Sequence, residues 1–388
     1  MNPNEFKTHL TTNILPFWRT KMVDNENGGF YGRIDGNDTL HQDADKGVIL
    51  NTRILWTFSA AFRKTNDIAD RFTADRAYQY LMDHFLDAEH GGVFWTVDAK
   101  GNCVNDRKQV YAQAFMIYAL AEYYKINGDP GILEIAKKLF YLLEQHSFDN
   151  ELGGYLEAHT REWGTIEDMR LSEKDMNAEK TMNTHLHVLE AYTNLYRVWK
   201  DAELATQLKK LIITMSAKFV DPTGHFYLFF DRKWTLQSHD FSYGHDIEGS
   251  WLLFEAAEVL GDESLLSKVR LQAIQMVEAA LEGLDEDGGL MYEGDKEKFI
   301  DTDKHWWPQA EALVGLVNAW QVSGKERYLE LAQKVWSFTQ DNLVDPNGEW
   351  YWSVSRDRKV NRVDDKAGPW KCPYHNGRAM IELMERLV

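Results

Sequence analysis

The segment TMNTHLHVLEAY, residues 181–192, sets two histidines one residue apart. On a strand such a pair shares a face and could hold a metal. On a helix two residues turn through about 200°, so the two rings point apart. The segment runs on through LYRVW with helical periodicity, and the metal reading fails. His187 falls four residues after Asn183, so these two stack on one helical face. His187 is therefore assigned to a pocket and His185 to helix packing. Two more histidines open apolar segments: His245 in FSYGHDIEGSW and His375 in KCPYHNGR. Three such histidines and Arg53, without a nucleophile elbow, phosphate loop or metal-type spacing, point to proton transfer. An imidazole with a pKa of about 6.5 takes and returns protons near neutrality.

What positions these residues is a repeat. An acidic turn, a glycine, an aromatic strand, a polar turn and a second strand recur six times, as in DNENGGFYGRID, DAEHGGVFWTVDAKGN and DPNGEWYWSVSRDRK. The marker glycines are Gly29, Gly92, Gly154, Gly224, Gly289 and Gly348, at intervals of 59 to 70 residues. Each copy reads as a short β-hairpin. Each is followed by a helix apolar nearly all round, such as VYAQAFMIYALAEYYK, and then by a charge-rich amphipathic one, such as KERYLELAQKVWSFTQDNL. The first kind is buried and the second lies outside it. With an outer-type helix at residues 4–22 and an inner-type helix at 373–387, six of each result. The expected fold is all-α, an (α/α)6 barrel of six inner and six outer helices with the hairpins at one rim. Because one repeat cannot bury its faces alone, residues 1–388 should form a single domain. An open superhelix is the alternative, but neither end resembles a polar cap.

The starts of the inner helices carry Asn51 and Arg53; Tyr111 and Gln113; Asn183 and His187; His245 and Glu248; Trp307, Gln309 and Glu311; and His375, Asn376 and Arg378. A ring of such groups at one end describes a pocket. For several of Asn51, Gln113 and Asn376 the expected role is only to cap helices or stitch them together. Trp307 and Trp370 could stack on sugar rings or fill the core. His84 and His146 sit near outer-helix ends, and His305 could serve either role. His9, His41, His90, His159, His225 and His239 read as surface or hairpin residues. In the third unit 33 residues separate Gly154 from His187, against 19 to 24 for the same interval in units one, two, four and five. The surplus, REWGTIEDMRLSEKDMNAEK, reads as a loop over the rim that could bring Asp175 to a substrate.

The chain has 388 residues, 44% of them hydrophobic and 13% aromatic, which is ample for a core. A formal net charge of −18 argues against nucleic acid or an anionic membrane as partner. No basic and apolar leader is visible, and no run approaches the roughly 18 apolar residues of a membrane span. Two cysteines, Cys103 and Cys372, are too few for a disulfide framework. A reduced, cytoplasmic protein is expected.

The segments NTRILWTF, MNTHLHVLEAY, FSYGHDIEGSWLL, DTDKHWWPQAEALVG and KCPYHNGR resemble the N-acylglucosamine 2-epimerase superfamily, most closely its cellobiose 2-epimerase branch. The resemblance spans nearly the whole chain. It implies the same barrel and reversible, cofactor-independent epimerisation at C2 of the reducing-end sugar of β-1,4-linked disaccharides such as cellobiose and lactose. The partner would be that small sugar, and the chain a monomer or weak oligomer. By motif position His245 and His375 would be the acid/base pair, with Arg53 and His187 on the C1 oxygen. Glu248, on the face of His245, could orient it. Tyr111, Asn183, Asp175, Glu248, Trp307, Glu311 and Trp370 would contact the substrate, with no metal. Three rivals remain: an aldose–ketose isomerase of the same superfamily, a glycoside hydrolase using Glu248 and Glu311, and a non-catalytic sugar-binding protein.

Overall fold

A computed structural model describes residues 1–387. Among them the helices form two sets of six. The inner set is α3 (Val48–Thr65), α5 (Val110–Asn127), α7 (Met182–Val198), α9 (Tyr243–Leu260), α11 (Trp306–Ser323) and α13 (Tyr374–Arg386). The outer set begins with α1 (Pro3–His9) and α2 (Leu15–Lys21), joined through a π-helical turn into one rod. It continues with α4 (Ile68–Tyr80), α6 (Pro130–His146), α8 (Ala202–Thr214), α10 (Glu263–Ala280) and α12 (Glu326–Asn342).

Burial separates the sets as the apolar patterning requires. In α3 every residue from Val48 to Ala61 is buried. In α12 burial is confined to one stripe of Tyr328, Ala332, Val335, Trp336, Phe338 and Thr339. Consecutive inner helices pack side by side, and α13 closes the ring against α3. The turn from inner to outer helix is tight. Gly128, Gly261 and Gly324 end α5, α9 and α11 in the left-handed conformation. Asp67, Asp129, Asp201 and Asp262 then cap the outer helices through their carboxylates.

The hairpins form a second ring at the rim where the inner helices begin. The short strand leading into each inner helix pairs antiparallel with the next hairpin: Lys46–Gly47 with Thr96–Val97, Lys108–Gln109 with Ala158–His159, and Lys180–Thr181 with Phe229–Phe230. Phe241–Ser242 pairs with Glu293–Gly294, and Lys304–His305 with Ser353–Val354. A bridge between Ile34 and Ala367 joins the sixth unit back to the first. The hairpin aspartates do more than shape turns. Asp24, Asp87, Asp149, Asp285 and Asp345 pair with Lys46, Lys108, Lys180, Lys304 and Lys366, whose side chains are fully or almost fully buried. The fourth unit differs: Phe241 occupies the lysine position and stacks on His225 at 3.7 Å. His225 and His159 are hairpin residues, as expected, but both are buried rather than at the surface. Among the described residues no helix is long and apolar enough to cross a membrane.

Candidate active site

The six-fold repeat sorts the polar groups at the rim into two kinds. The fourth residue of α3, α5, α7, α9 and α11, and the third of α13, are Asn51, Gln113, His185, Asp246, Gln309 and Asn376. Most of these fasten a hairpin to the helix. Gln113 Oε1 accepts from Val93 N at 2.8 Å, His185 Nε2 from Tyr155 N at 2.8 Å, Asp246 Oδ1 from Phe226 N at 2.7 Å and Gln309 Oε1 from Leu290 N at 2.7 Å. Asn51 donates to Gly47 O at 2.9 Å and Asn376 to the hairpin residue Glu349 at 2.5 Å. Stitching therefore accounts for this ring, His185 included. Two residues further on, each helix turns a side chain inward: Arg53, Phe115, His187, Glu248, Glu311 and Arg378.

Above that inner ring opens a cavity of about 960 Å³, within the range of small-molecule sites. Arg53, Tyr111, Asn183, His187, His245, Glu248, Trp307, Trp370 and His375 line it, with Asp175 on the long loop of the third unit. Glu311 lies beneath the lining. Trp307 backs two histidines, its ring 4.6 Å from that of His245 and 5.6 Å from that of His375. Trp370 stands across from it near Tyr111, ring centroids 6.0 Å apart. Asn183 Oδ1 is buried without a partner. Asp175 accepts from Ser172 N and Oγ at 2.9 and 2.8 Å, so its carboxylate also fixes the loop's own turn.

The histidines differ in what holds them. His375 Nδ1 lies 2.7 Å from Glu311 Oε1, and His187 Nδ1 lies 3.0 Å from Glu190 Oε2. Glu190 is held ionised by Arg378 and only accepts, and Glu311 Oε1 is already an acceptor for Arg378 Nη2. Each ring therefore carries its proton on Nδ1 and leaves Nε2 as the free acceptor. His245 has no such partner, and its Nδ1 is buried and unbonded. Glu248 does not orient His245, contrary to the helical-face argument. Its carboxylate instead accepts from Arg378 Nη2 at 2.7 Å and lies 3.9 Å from His375 Nδ1. Sharing a helix face brings side chains near, but a guanidinium from α13 competes more strongly for a buried carboxylate.

Arg378 is the hub below the cavity. Nη2 reaches Glu248 and Glu311, both at 2.7 Å, while Nη1 bonds Glu190 and the Tyr374 hydroxyl. Burial pushes the Glu190 carboxyl up, but Arg378 and His187 outweigh it and hold the group down to about 2. Burial and the neighbouring Glu311 push Glu248 up to about 8, and burial raises Glu311. Burial lowers all three histidines, His245 to about 3. The site thus presents neutral imidazoles at pH 7. Arg53 donates to the Tyr111 hydroxyl at 2.7 Å, its Nε is unbonded, and among the described residues it has no carboxylate partner.

Glu248, Glu311 and His375 place ligand-type atoms within 4.8 Å of one another, a grouping that could hold a cation. Sequence spacing gave no sign of it, because the three come from three helices. Both carboxylates already share the Arg378 guanidinium, which supplies the positive charge between them. Glu190 and Tyr374 were missed as site residues, and Arg378 was read only as a rim polar group. For Glu190 the available signal was its place three residues after His187.

A barrel with neutral histidines around a guanidinium that lacks a carboxylate defines a site suited to moving a proton beside a transient anion. Residues 29–379 match the N-acylglucosamine 2-epimerase (GlcNAc 2-epimerase) family, and the chain belongs to it. It is 52% identical to a cellobiose 2-epimerase of Bacteroides fragilis and 40% identical to one of Ruminococcus albus, covering 98% and 99% of each chain. The solved cellobiose 2-epimerase of Bacillus thermoamylovorans B4167 superposes with a TM-score of 0.94 at 42% identity, over 99% of both chains. The barrel inferred from the repeat is therefore the fold, and the chain is an isomerase.

Proposed function

We propose that the chain is a cellobiose 2-epimerase that inverts C2 of the reducing-end glucose of cellobiose and lactose, with residues 1–388 acting as one catalytic domain. The observation that carries this is Arg53. A buried guanidinium without a carboxylate is costly unless an anion joins it, and the neutral histidines beside it cannot supply one. An enediolate can.

The ring geometry supports the following steps. The pyranose opens to its aldehyde, and His375 Nε2, its tautomer fixed by Glu311, takes the C2 proton. The C–H electrons move into the C1–C2 bond and the charge falls on O1, where Arg53 stabilises it, while His187 Nε2 accepts from a hydroxyl of the same sugar. His245 takes the O1–H proton as the ring opens, while O5 takes one from water. It then returns its proton from Nε2 to the opposite face of C2 as O1 reverts to the carbonyl. The mannose epimer then closes: O1 takes the proton held by His375 and O5 releases its own to water, so both rings end neutral. The reverse reaction uses the two histidines in exchanged roles. Trp307 and Trp370 give the sugars apolar platforms, and Tyr111, Asn183 and Asp175 are the polar contacts. Hydrolysis is disfavoured because Glu248 and Glu311 are bonded to one guanidinium instead of flanking a sugar.

The test is proton NMR of cellobiose with the protein in heavy water. Glucosyl-mannose carrying deuterium at C2 is expected. A ketose labelled at C1 would make the chain an aldose–ketose isomerase, free glucose would make it a hydrolase, and unexchanged cellobiose would end the enzymatic reading. A chelator is expected to leave the rate unchanged, since Arg378 already provides the positive charge; loss of activity restored by added metal would refute that.

A further inference from the structure

The repeat supplies its own control for Glu190. Five residues after each stitching position the inner helices carry Trp56, Tyr118, Glu190, Trp251, Val314 and Ile381. Five of these are apolar or aromatic, and Glu190 alone brings a charge to that layer, where it is 3% exposed. A charge there costs several kcal/mol unless it is paired. It is paired completely: Oε1 accepts from Arg378 and Tyr374, and Oε2 faces His187 Nδ1 at 3.0 Å.

We propose that Glu190 is the positioning residue of His187: it holds the ring with its proton on Nδ1, so that Nε2 meets the sugar as an acceptor. Arg378 and Tyr374 fix the carboxylate that does this. Through Arg378 the same network reaches Glu311 and His375, so both ring tautomers are set by carboxylates on one guanidinium. The proposal rests on the reading that His187 faces the substrate.

Glu190→Gln tests it with a specific consequence. Arg378 and Tyr374 are both donors at Oε1, so the amide must turn its oxygen toward them. Its NH₂ group then faces His187 Nδ1, which is forced to accept, and the ring proton moves to Nε2. The shape of the side chain is unchanged. In protein with ¹⁵N-labelled histidine, the His187 ring signals, assigned by their loss in His187→Gln, are expected to show the Nδ1–H tautomer in the wild type and Nε2–H in Glu190→Gln. The epimerisation kcat should fall by about 100-fold or more. In a His187→Ala background the same substitution should cost less than about threefold further, since positioning acts only through that ring. An unchanged tautomer, or equal losses with and without His187, overturns the proposal. Because the tautomer is read without turnover, a protein that shows the flip yet never epimerises cellobiose would refute the epimerase reading and leave the positioning role standing.

Discussion

His185 and His187 are one residue apart, both buried, and expected to fail in different ways when replaced. The His185 ring accepts from Tyr155 N, donates from Nδ1 to Thr181 O at 2.7 Å, and packs on Phe219 with centroids 4.8 Å apart. His185→Ala leaves the buried Tyr155 N–H unpaired, at about 1–3 kcal/mol. The space vacated by the ring adds about 2–4 kcal/mol. For 388 residues unfolding as one unit, an entropy of about 2.1 cal/mol/K per residue makes 1 kcal/mol worth roughly 1.2 °C. The variant should therefore melt about 4–8 °C lower. His185→Gln should recover nearly all of that, because Gln113 and Gln309 do the same job in the second and fifth units, accepting from one hairpin N–H and donating to a carbonyl. Measured well below the transition, both variants should keep kcat/KM within about threefold of wild type, since the ring lies outside the cavity lining. His187→Gln should do the opposite, keeping Tm within about 2 °C and losing about 10²–10⁴ in kcat. Calorimetry beside initial rates at 25 °C decides it. If His185→Gln melts as low as His185→Ala, the repeat equivalence is wrong; if His185→Ala loses activity as His187→Gln does, the division into stitching and pocket residues is wrong.

Three further outcomes are expected. His245→Ala and His375→Ala should each abolish epimerisation with the far-ultraviolet circular dichroism unchanged, and near-wild-type turnover in either would remove it from the acid/base pair. Trp370→Ala should raise KM for cellobiose more than it lowers kcat, because a stacked platform holds substrate and transition state about equally; a large fall in Tm at unchanged KM would assign Trp370 to packing. Stability should fall on mild acidification. Burial holds His185 and His245 neutral, both near about 3, so the unfolded chain binds these protons first. Their contribution is complete above about pH 6.5 and erodes below it at about 1.4 kcal/mol per pH unit each, or about 4 kcal/mol for both by pH 5. Urea midpoints at pH 7 and 5 for wild type and His185→Gln should differ in slope by one proton, and identical slopes would refute the assignment for His185.

The fold was legible because a six-fold repeat writes its periodicity into the chain. The hairpin glycines and the contrast between all-round apolar helices and one-sided ones already determine two rings. The Lys–Asp clasps escaped notice although lysine recurs two residues before α3, α5, α7 and α11. A lysine beside a turn reads as solvated, and only the closed ring of hairpins shows that its ammonium is enclosed. The hairpin histidines misled for the same reason. His225 belongs to a turn in sequence, yet it is buried where the fourth unit lacks its lysine.

The site was legible down to the layer that touches solvent and no further. Helical spacing separated His185 from His187, the starts of the apolar helices singled out His245 and His375, and the resemblance gave those two the acid/base roles. It could not show what completes these pairs, because the partners come from other helices: Glu311 on the neighbouring α11 for His375, and Arg378 on α13, across the barrel, for Glu190 on α7. Same-face reasoning within α9 gave Glu248 to His245, and the structure gives it to Arg378. The limit is physical. A helix period fixes which residues look inward, but the pairing of three inward carboxylates with one guanidinium depends on the relative rotation of four helices, which no single period contains. What one chain can still reveal is the exception to its own repeat. Glu190 stands in a layer that five other units keep apolar or aromatic, and a buried charge that breaks the pattern of its five counterparts marks where the barrel departs from packing to serve chemistry.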